Sequence, residues 1–193
     1  MTRNRTARWA WALACVTWGI VAAGAARAGD APVFVKWSDE GAWQRDNGLR
    51  SELVLNGWWR FKAAGAEDAR PPTSGWLYRK APGSGPSFKI LDEAGKDALA
   101  GKTREQQAAM AAKDCWIERE FTVPADWRDR DVRMVLDSVL GNGQVFLDGK
   151  LLGHTWPFVA QEIPLPKPYK QTPYRLSIRS SAGGVINNMW LTD

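Results

Sequence analysis

The 193-residue sequence predicts an all-β fold, an antiparallel β-sandwich with one small helical insertion. The first observation is that short runs of β-branched and aromatic residues recur about every 8–15 residues after position 115, with Gly and Pro between them. The second is Asp148-Gly149, a two-residue hairpin signal that separates two such runs. The third is that a helix signal occurs in only one stretch, between residues 103 and 113.

Residues 1–28 have the three parts of a secretory signal peptide. An arginine-containing start precedes an apolar run over residues 9–23, and Ala26-Arg27-Ala28 places small residues at the positions that signal peptidase reads. We therefore expect cleavage after Ala28 and a periplasmic or secreted mature protein without stable membrane insertion. A transmembrane anchor and a lipoprotein acylated at Cys15 remain as alternatives, although the apolar run of about 15 residues is short for an anchor, which needs roughly 20.

The sequence that follows the leader is close to electrically neutral. The chain has 26 Lys and Arg against 21 Asp and Glu, and four arginines but no acid precede residue 29. Cleavage leaves 22 basic residues against 21 acidic ones, so the net charge falls from +5 to +1. A nucleic-acid-binding domain keeps a basic surface after processing, so the composition argues against this class of function.

The first half of the mature sequence contains a lead-in segment and one strand pattern. Residues 29–52 are mixed and polar, and we interpret them as an N-terminal segment that leads into a domain over residues 53–193. Leu53–Lys62 has a strand pattern that a tight turn or bulge interrupts at Asn56-Gly57.

Residues 64–114 are interpreted as a loop and helix insertion in this domain. Residues 64–86 are rich in Gly, Pro, Ala and Ser, which predicts a loop. Thr103 and Gln106 form a capping-box pattern ahead of an alanine-rich run, which predicts a short helix on the surface.

The second half is predicted to consist of short strands. Alternation places Val132, Met134 and Leu136 on one face, and Tyr174, Leu176 and Ile178 on another. The expected strands are Trp116–Val123, Val132–Leu136, Gln144–Leu147, Lys150–Leu152, Gln161–Leu165, Tyr174–Arg179 and Met189–Leu191.

Five segments occur in an order that one protein family shares. They are Leu55-Asn56-Gly57-Trp58-Trp59-Arg60-Phe61, Trp116–Pro124, Val132–Leu136, Val145-Phe146-Leu147-Asp148-Gly149-Lys150, and Gly183-Gly184-Val185 with Met189-Trp190-Leu191. Together they resemble the N-terminal sugar-binding domain of glycoside hydrolase family 2, a family that includes β-galactosidases, β-glucuronidases and β-mannosidases. Asp148 stands where the family usually has Asn, an acceptable exchange in a turn.

The resemblance implies a galactose-binding-like jelly roll that is associated with carbohydrate. The family's catalytic glutamates lie on a barrel that follows an immunoglobulin-like domain, and the sequence has neither. We therefore expect a domain that is not catalytic by itself, with a β-glycoside as ligand and a catalytic barrel domain or partner chain as partner. The sequence departs from the family in a shortened loop, Thr155-Trp156-Pro157-Phe158, and in an insertion of roughly 50 residues between Phe61 and Cys115.

Three residues are candidates for carbohydrate binding. A sugar presents an apolar C–H face and a rim of hydroxyl groups, so an aromatic side chain can stack on the face while polar side chains bind the rim. Trp156 lies in a short loop, with His154 before it and Asn142 in the adjoining turn. Packing in the fold remains an alternative for each.

Other tryptophans are expected to serve the fold. Trp58, Trp116 and Trp190 fall within strand patterns and are expected in the core, and Trp127 is expected to anchor the turn after Pro124. An alternative function is therefore a structural or interaction module that docks another domain or protein and binds no sugar.

The acids do not predict a glycosidase site. Glu118 and Glu120 lie two apart on one strand, but nearby arginines favour ion pairs over catalysis. The arginines concerned are Arg119, Arg128, Arg130 and Arg133.

Metal and cofactor sites are not expected either. After cleavage the chain has one cysteine, Cys115, and one histidine, so no Cys/His zinc site can form, and Cys115 is expected to be buried as a small apolar residue. Gly141-Asn142-Gly143 is a turn rather than a phosphate loop, because no helix follows it. Ser180-Ser181 with His154 lacks the sharp elbow of a hydrolase triad.

Overall fold

The computed structural model describes residues 42–46, 50–65, 69–82, 89–110, 114–137, 141–181 and 188–193. The predicted leader and Gly183-Gly184-Val185 lie outside the described residues. Within them the chain forms two antiparallel sheets and one short helix, which confirms the predicted β-sandwich. No helix in this part of the chain combines the length and apolar character that crossing a bilayer requires.

The strands are numbered in chain order. They are β1 (Trp43–Asp46), β2 (Ser51–Val54), β3 (Gly57–Ala63), β4 (Leu77–Ala81), β5 (Cys115–Phe121), β6 (Arg133–Asp137), β7 (Gly143–Leu147), β8 (Lys150–Thr155), β9 (Gln161–Pro164), β10 (Tyr174–Ser180) and β11 (Asn188–Thr192).

The strands divide into two sheets with the main core between them, and a second, smaller apolar cluster is buried on the outer face of the six-stranded sheet. The five-stranded sheet has the order β1-β2-β11-β6-β9, and the six-stranded sheet has the order β4-β3-β5-β10-β7-β8. Alternate residues of each strand point into the core, as strand geometry requires. In β10, Tyr174, Leu176 and Ile178 are buried there, and in β6 Met134 and Leu136 meet them from the other sheet, as the sequence predicts.

The predicted interruption at Asn56-Gly57 is confirmed, and it separates two sheets. β2 ends before it in the five-stranded sheet, and β3 begins at Gly57 in the six-stranded sheet. β1 and the first two residues of β2 lie in the predicted lead-in segment over residues 29–52. β1 and β2 pair with each other along their whole lengths.

The prediction of a loop over residues 64–86 is wrong for Leu77–Ala81. This segment is β4, which pairs antiparallel with β3 at the edge of the six-stranded sheet. The flanking Gly, Pro and Ser residues dominate the composition of the region, whereas β4 forms because β3 offers it a ladder of backbone hydrogen bonds.

The helix α1 (Arg104–Met110) is confirmed with its capping box. The backbone N–H of Gln106 donates to Thr103 Oγ1 at 3.3 Å, and the N–H of Thr103 donates to Gln106 Oε1 at 3.0 Å. Most of the described helix residues are exposed, and Met110 is half-buried against the core. The helix therefore lies on the surface, as its alanine-rich composition predicts.

The β7–β8 hairpin at Asp148-Gly149 is also confirmed. Asp148 has φ 50° and Gly149 has φ 81°, the two positive values that a type I′ turn requires. Asp148 ties the turn to the neighbouring strand, because its N–H donates to the carbonyl of Arg175 at 2.8 Å and its Oδ1 accepts from the N–H of Arg175 at 2.9 Å.

The tryptophans divide between the core and the outer faces. Trp116 and Trp127 are fully buried, as predicted. Trp127 lies in the core between the sheets, in a short 3₁₀ helix over Ala125–Trp127, whereas Trp116 is buried in a second apolar cluster on the outer face of the six-stranded sheet. The core prediction is wrong for Trp58 and Trp190, which are half-buried on outer faces. In β3 it is Trp59 that points inward, because alternation sends adjacent residues to opposite faces.

Cys115 is buried in the core, which confirms its prediction as a small apolar residue. Burial raises the pKa of its thiol to about 11, because the charged thiolate is disfavoured away from water; the nearby Arg79 guanidinium opposes the shift.

Candidate functional site

A polar pocket lies at one end of the six-stranded sheet, where β7 begins and β8 and β10 end. Its volume is about 320 Å³. Two of the three predicted site residues, His154 and Asn142, line it, and the third, Trp156, does not. The lining residues are Asp114, Asn142, Gly143, Gln144, His154, Arg179, Ser180 and Ser181.

Trp156 lies immediately beyond the end of β8, two residues after His154. Two residues of extended chain span roughly 6.6–6.8 Å, so its backbone is close to the pocket. The side chain is 58% exposed, and packing in the core does not explain it. Its large apolar surface is exposed to solvent, two residues along the chain from the pocket-lining His154.

Close backbone packing fixes the base of the pocket. The N–H of Ser181 donates to the carbonyl of Asn142 at 3.0 Å, and Thr155 Oγ1 donates to the carbonyl of Gly141 at 3.3 Å. A Cβ atom on Gly143 would lie 2.5 Å from Thr155 Oγ1 and 2.6 Å from the carbonyl oxygen of Arg179. Glycine is therefore required at position 143 for β7, β8 and β10 to meet here.

Strand register brings together the polar side chains of the pocket. Gln144 is the partner of His154 across β8 and of Arg179 across β10, so the three form one row on the outer face of the sheet. Arg179 Nη2 donates to the carbonyl of Gly65 at 3.1 Å. Gln144 and Arg179 are not evident as site residues from the sequence, because the pairing of β7 with β10 joins segments that are distant in sequence.

The lining groups are suited to a ligand that is rich in hydroxyl groups. The amides of Asn142 and Gln144 both donate and accept hydrogen bonds, Asp114 accepts, and His154 offers a ring nitrogen. Within the described residues, no three His, Cys, Asp or Glu side chains are grouped to hold a metal ion. The pocket can therefore bind a ligand through hydrogen bonds.

Glu118, one of the two acids considered as a catalytic pair, is held by hydrogen bonds inside the protein. Glu118 is fully buried, and its Oε2 accepts from Arg60 Nε at 2.9 Å and also from Arg60 Nη2. Its Oε1 accepts from Ser177 Oγ at 2.7 Å. Both carboxylate oxygens are thus engaged within the protein.

The predicted ion pairing is confirmed for Glu118, but its partner is Arg60 rather than one of the four predicted arginines. Glu118 pairs with Arg60 of β3, because Arg119 points to the opposite face of β5 and donates to the carbonyl of Trp58 at 3.1 Å. Arg130 pairs with Asp126 and Asp193, and Arg133 pairs with Glu162.

Exposed apolar side chains occur in β8 and in the loop that follows it. Four large apolar side chains within nine consecutive residues are more than half exposed, and we name them together the apolar strip. Phe158 also has φ 62°, a value that bulky residues rarely adopt. The strip consists of Leu151, Trp156, Phe158 and Val159.

No protein-family model matches the chain, and no curated protein does. Solved structures of β-glucuronidases do match it. A β-glucuronidase from Ruminococcus gnavus in complex with D-glucaro 1,5-lactone superposes with a TM-score of 0.58 at 15% identity, over 78% of this chain and 30% of that chain. The β-glucuronidase of an uncultured Clostridium species gives a TM-score of 0.58 at 18% identity, with the same coverage.

This likeness shows the fold. It confirms the fold expected from the resemblance. It establishes no residue-by-residue correspondence, because the sequence identity is only 15–18%. The chain spans about 30% of the length of the β-glucuronidases that it matches.

Proposed function

We propose that this chain is a carbohydrate-associated β-sandwich domain of a family 2-like glycosidase and binds a β-glycoside at the polar end of its six-stranded sheet. The observation that supports it most is the pocket that Asn142 and His154 line beside the exposed Trp156. The fold that the chain shares with β-glucuronidases agrees with this role. In the bound state, Trp156 stacks on the C–H face of the sugar, and the lining amides and imidazole bind its hydroxyl groups.

Trp156→Ala is expected to weaken glycoside binding with little loss of stability. A stacking contact with an aromatic side chain is typically worth about 1–3 kcal/mol, and an exposed side chain contributes little to folding. Calorimetric titration with methyl β-galactoside, β-glucuronide and β-mannoside measures the binding, and thermal unfolding measures the stability. Leu151→Ala is the matched control, since it removes an apolar side chain of 53% exposure elsewhere on the strip. The proposal fails if the unaltered chain binds none of the three at millimolar concentration.

We propose that the chain is not catalytic by itself. Retaining glycosidases need two carboxyl groups roughly 5–5.5 Å apart, one as nucleophile and one as acid/base. Glu118 is buried with both oxygens engaged, and Glu120 lies on the same face of the same strand. A catalytic barrel domain, in a longer polypeptide or a partner chain, would supply the reaction. The much greater length of the matching β-glucuronidases supports this assignment.

The purified chain is therefore expected to release no nitrophenol from nitrophenyl β-galactoside, β-glucuronide or β-mannoside above the buffer rate. Glu120→Gln is the informative variant, because Glu120 is the more exposed member of the pair. Turnover that persists through purification and disappears in Glu120→Gln would place a catalytic site in this chain after all.

We also propose export of the protein through its N-terminal leader. The mature protein is expected to begin at Gly29 and to be found in the periplasm or medium. N-terminal sequencing of protein from those fractions tests this. A chain that begins at Met1, or one that is lipid-modified at Cys15, contradicts it.

A second candidate function is a docking module that binds no sugar, and the apolar strip of Leu151, Trp156, Phe158 and Val159 favours it. Exposed apolar patches of this kind are typical of interaction surfaces. The two functions differ in the titrations above, because a docking module shows no heat with any glycoside.

A further inference from the structure

A second pocket lies over the outer face of the six-stranded sheet, away from the polar end of β7. Its volume is about 420 Å³, within the roughly 300–1,000 Å³ of small-molecule sites. Arg60, Phe146 and Arg175 line it from the sheet, and Arg70, Pro71 and Pro72 line it from the segment before β4. It shares no lining residue with the first pocket.

The lining residues of this pocket include three arginines and no carboxylate. Two acids adjoin the lining residues: Glu118 pairs with Arg60 of the pocket itself, and Asp148 pairs with Lys170 at 2.6 Å. Glu120 is the cross-strand neighbour of Arg175. Among the described residues, neither Arg70 nor Arg175 forms an ion pair within 4.0 Å. No described carboxylate pairs with these two guanidinium groups, which suits them to an incoming anion.

Arg60 is held in place before any ligand arrives. Glu118 accepts two of its hydrogen bonds, and the Trp76 ring centroid lies 4.3 Å from its Cζ. The register of the sheet explains why Arg60 meets Glu118. Successive cross-strand partners in this row are Arg60, Glu118, Ser177 and Phe146. A side chain that is already ordered loses little conformational entropy on binding.

The same pocket has an apolar wall. Phe146 is half-buried and packs against Trp116, with ring centroids 5.5 Å apart, and the two prolines lie among the lining residues. A ligand suited to these walls carries an oxyanion next to a ring with an apolar face. Planar arginine forks match a planar carboxylate in two-point hydrogen bonding.

We infer that this pocket binds a saccharide that carries a carboxylate, with Arg70 and Arg175 holding the carboxylate and Phe146 contacting the C–H face of the ring. The saccharide part rests on the proposed function, whereas the anion part rests on the arginines alone. Arg60 adds a third, preordered donor group at the edge of the site.

Calorimetric titration of the purified full chain tests this with methyl β-glucuronide and methyl β-glucoside, which differ in the C6 carboxylate. Acetate and inorganic sulfate serve as anions without a sugar ring. We expect the glucuronide to bind about tenfold more tightly than the glucoside, and Arg70→Gln or Arg175→Gln to abolish most of that difference. Arg133→Gln is the control, since it removes an exposed arginine from the five-stranded sheet, and it should change nothing.

Three results overturn the inference: equal affinity for glucuronide and glucoside, a charge preference that survives both arginine substitutions, or acetate and sulfate that bind as tightly as the glucuronide. The proposed function is judged separately, because it depends on loss of glycoside binding in Trp156→Ala. The two proposals can therefore have different outcomes. If the arginine variants abolish the carboxylate preference and Trp156→Ala leaves it intact, this pocket is supported even when the first pocket binds nothing.

Discussion

Glu118→Gln is expected to lower the free energy of unfolding by about 3–5 kcal/mol, the usual cost of removing one partner from a buried ion pair. The substitution keeps the shape of the side chain and removes its charge. The Arg60 guanidinium, whose side chain is only 13% exposed, would then be left without its counterion. Urea denaturation at neutral pH measures the change, with the midpoint compared at constant slope.

Glu162→Gln is the matched control for this experiment. Glu162 also pairs with an arginine across neighbouring strands, but the side chains of Arg133 and Glu162 are 55% and 47% exposed. Exposed pairs contribute about 0–1 kcal/mol, because water and salt screen them. Similar effects of the two substitutions would mean that Arg60–Glu118 is no more than a surface pair.

Features that a few neighbouring residues determine could be predicted from the sequence. The Asp148-Gly149 turn was predictable because few residue pairs tolerate two positive φ values. The cap of α1 was predictable because Thr103 and Gln106 satisfy each other's backbone N–H groups within a single turn. The same holds for the inward face of β10, where strict alternation leaves one arrangement.

Features that depend on pairing between distant segments could not be predicted. Glu118 and Arg60 are 58 residues apart, and only the β3–β5 register makes them neighbours. The polar pocket has the same origin: His154 was found from its place beside a loop, whereas Gln144 and Arg179 join it through ladders that the sequence does not display. β4 was missed because its own pattern is weak and its partner β3 determines it.

The strand pattern does not predict which of the two adjacent tryptophans in β3 points into the core. Trp58 and Trp59 fit a strand equally well, and a shift of one residue exchanges the inward side chain for the outward one. The structure places Trp59 inward, with its Nε1 donating to the carbonyl of Leu55 at 3.0 Å. Trp127 was easier to place, because its position after Pro124 ties it to a turn that closes over the core.

Trp127→Ala is expected to destabilise the fold by about 3–5 kcal/mol, the usual cost of truncating a fully buried tryptophan. Trp127 is 0% exposed and belongs to the core between the sheets, and its backbone N–H, which the substitution keeps, donates to the carbonyl of Pro124 at 3.0 Å. Removing the indole leaves a cavity in the core. The two sheets cannot move together to fill it without breaking backbone hydrogen bonds between their strands. Trp156→Ala is the matched comparison, since it deletes the same atoms from a site that is 58% exposed and should cost about 0.5 kcal/mol or less. Thermal and urea unfolding of both variants give the two values. Equal losses would contradict the burial of Trp127 and would also remove the reason for treating Trp156 as a surface for ligands.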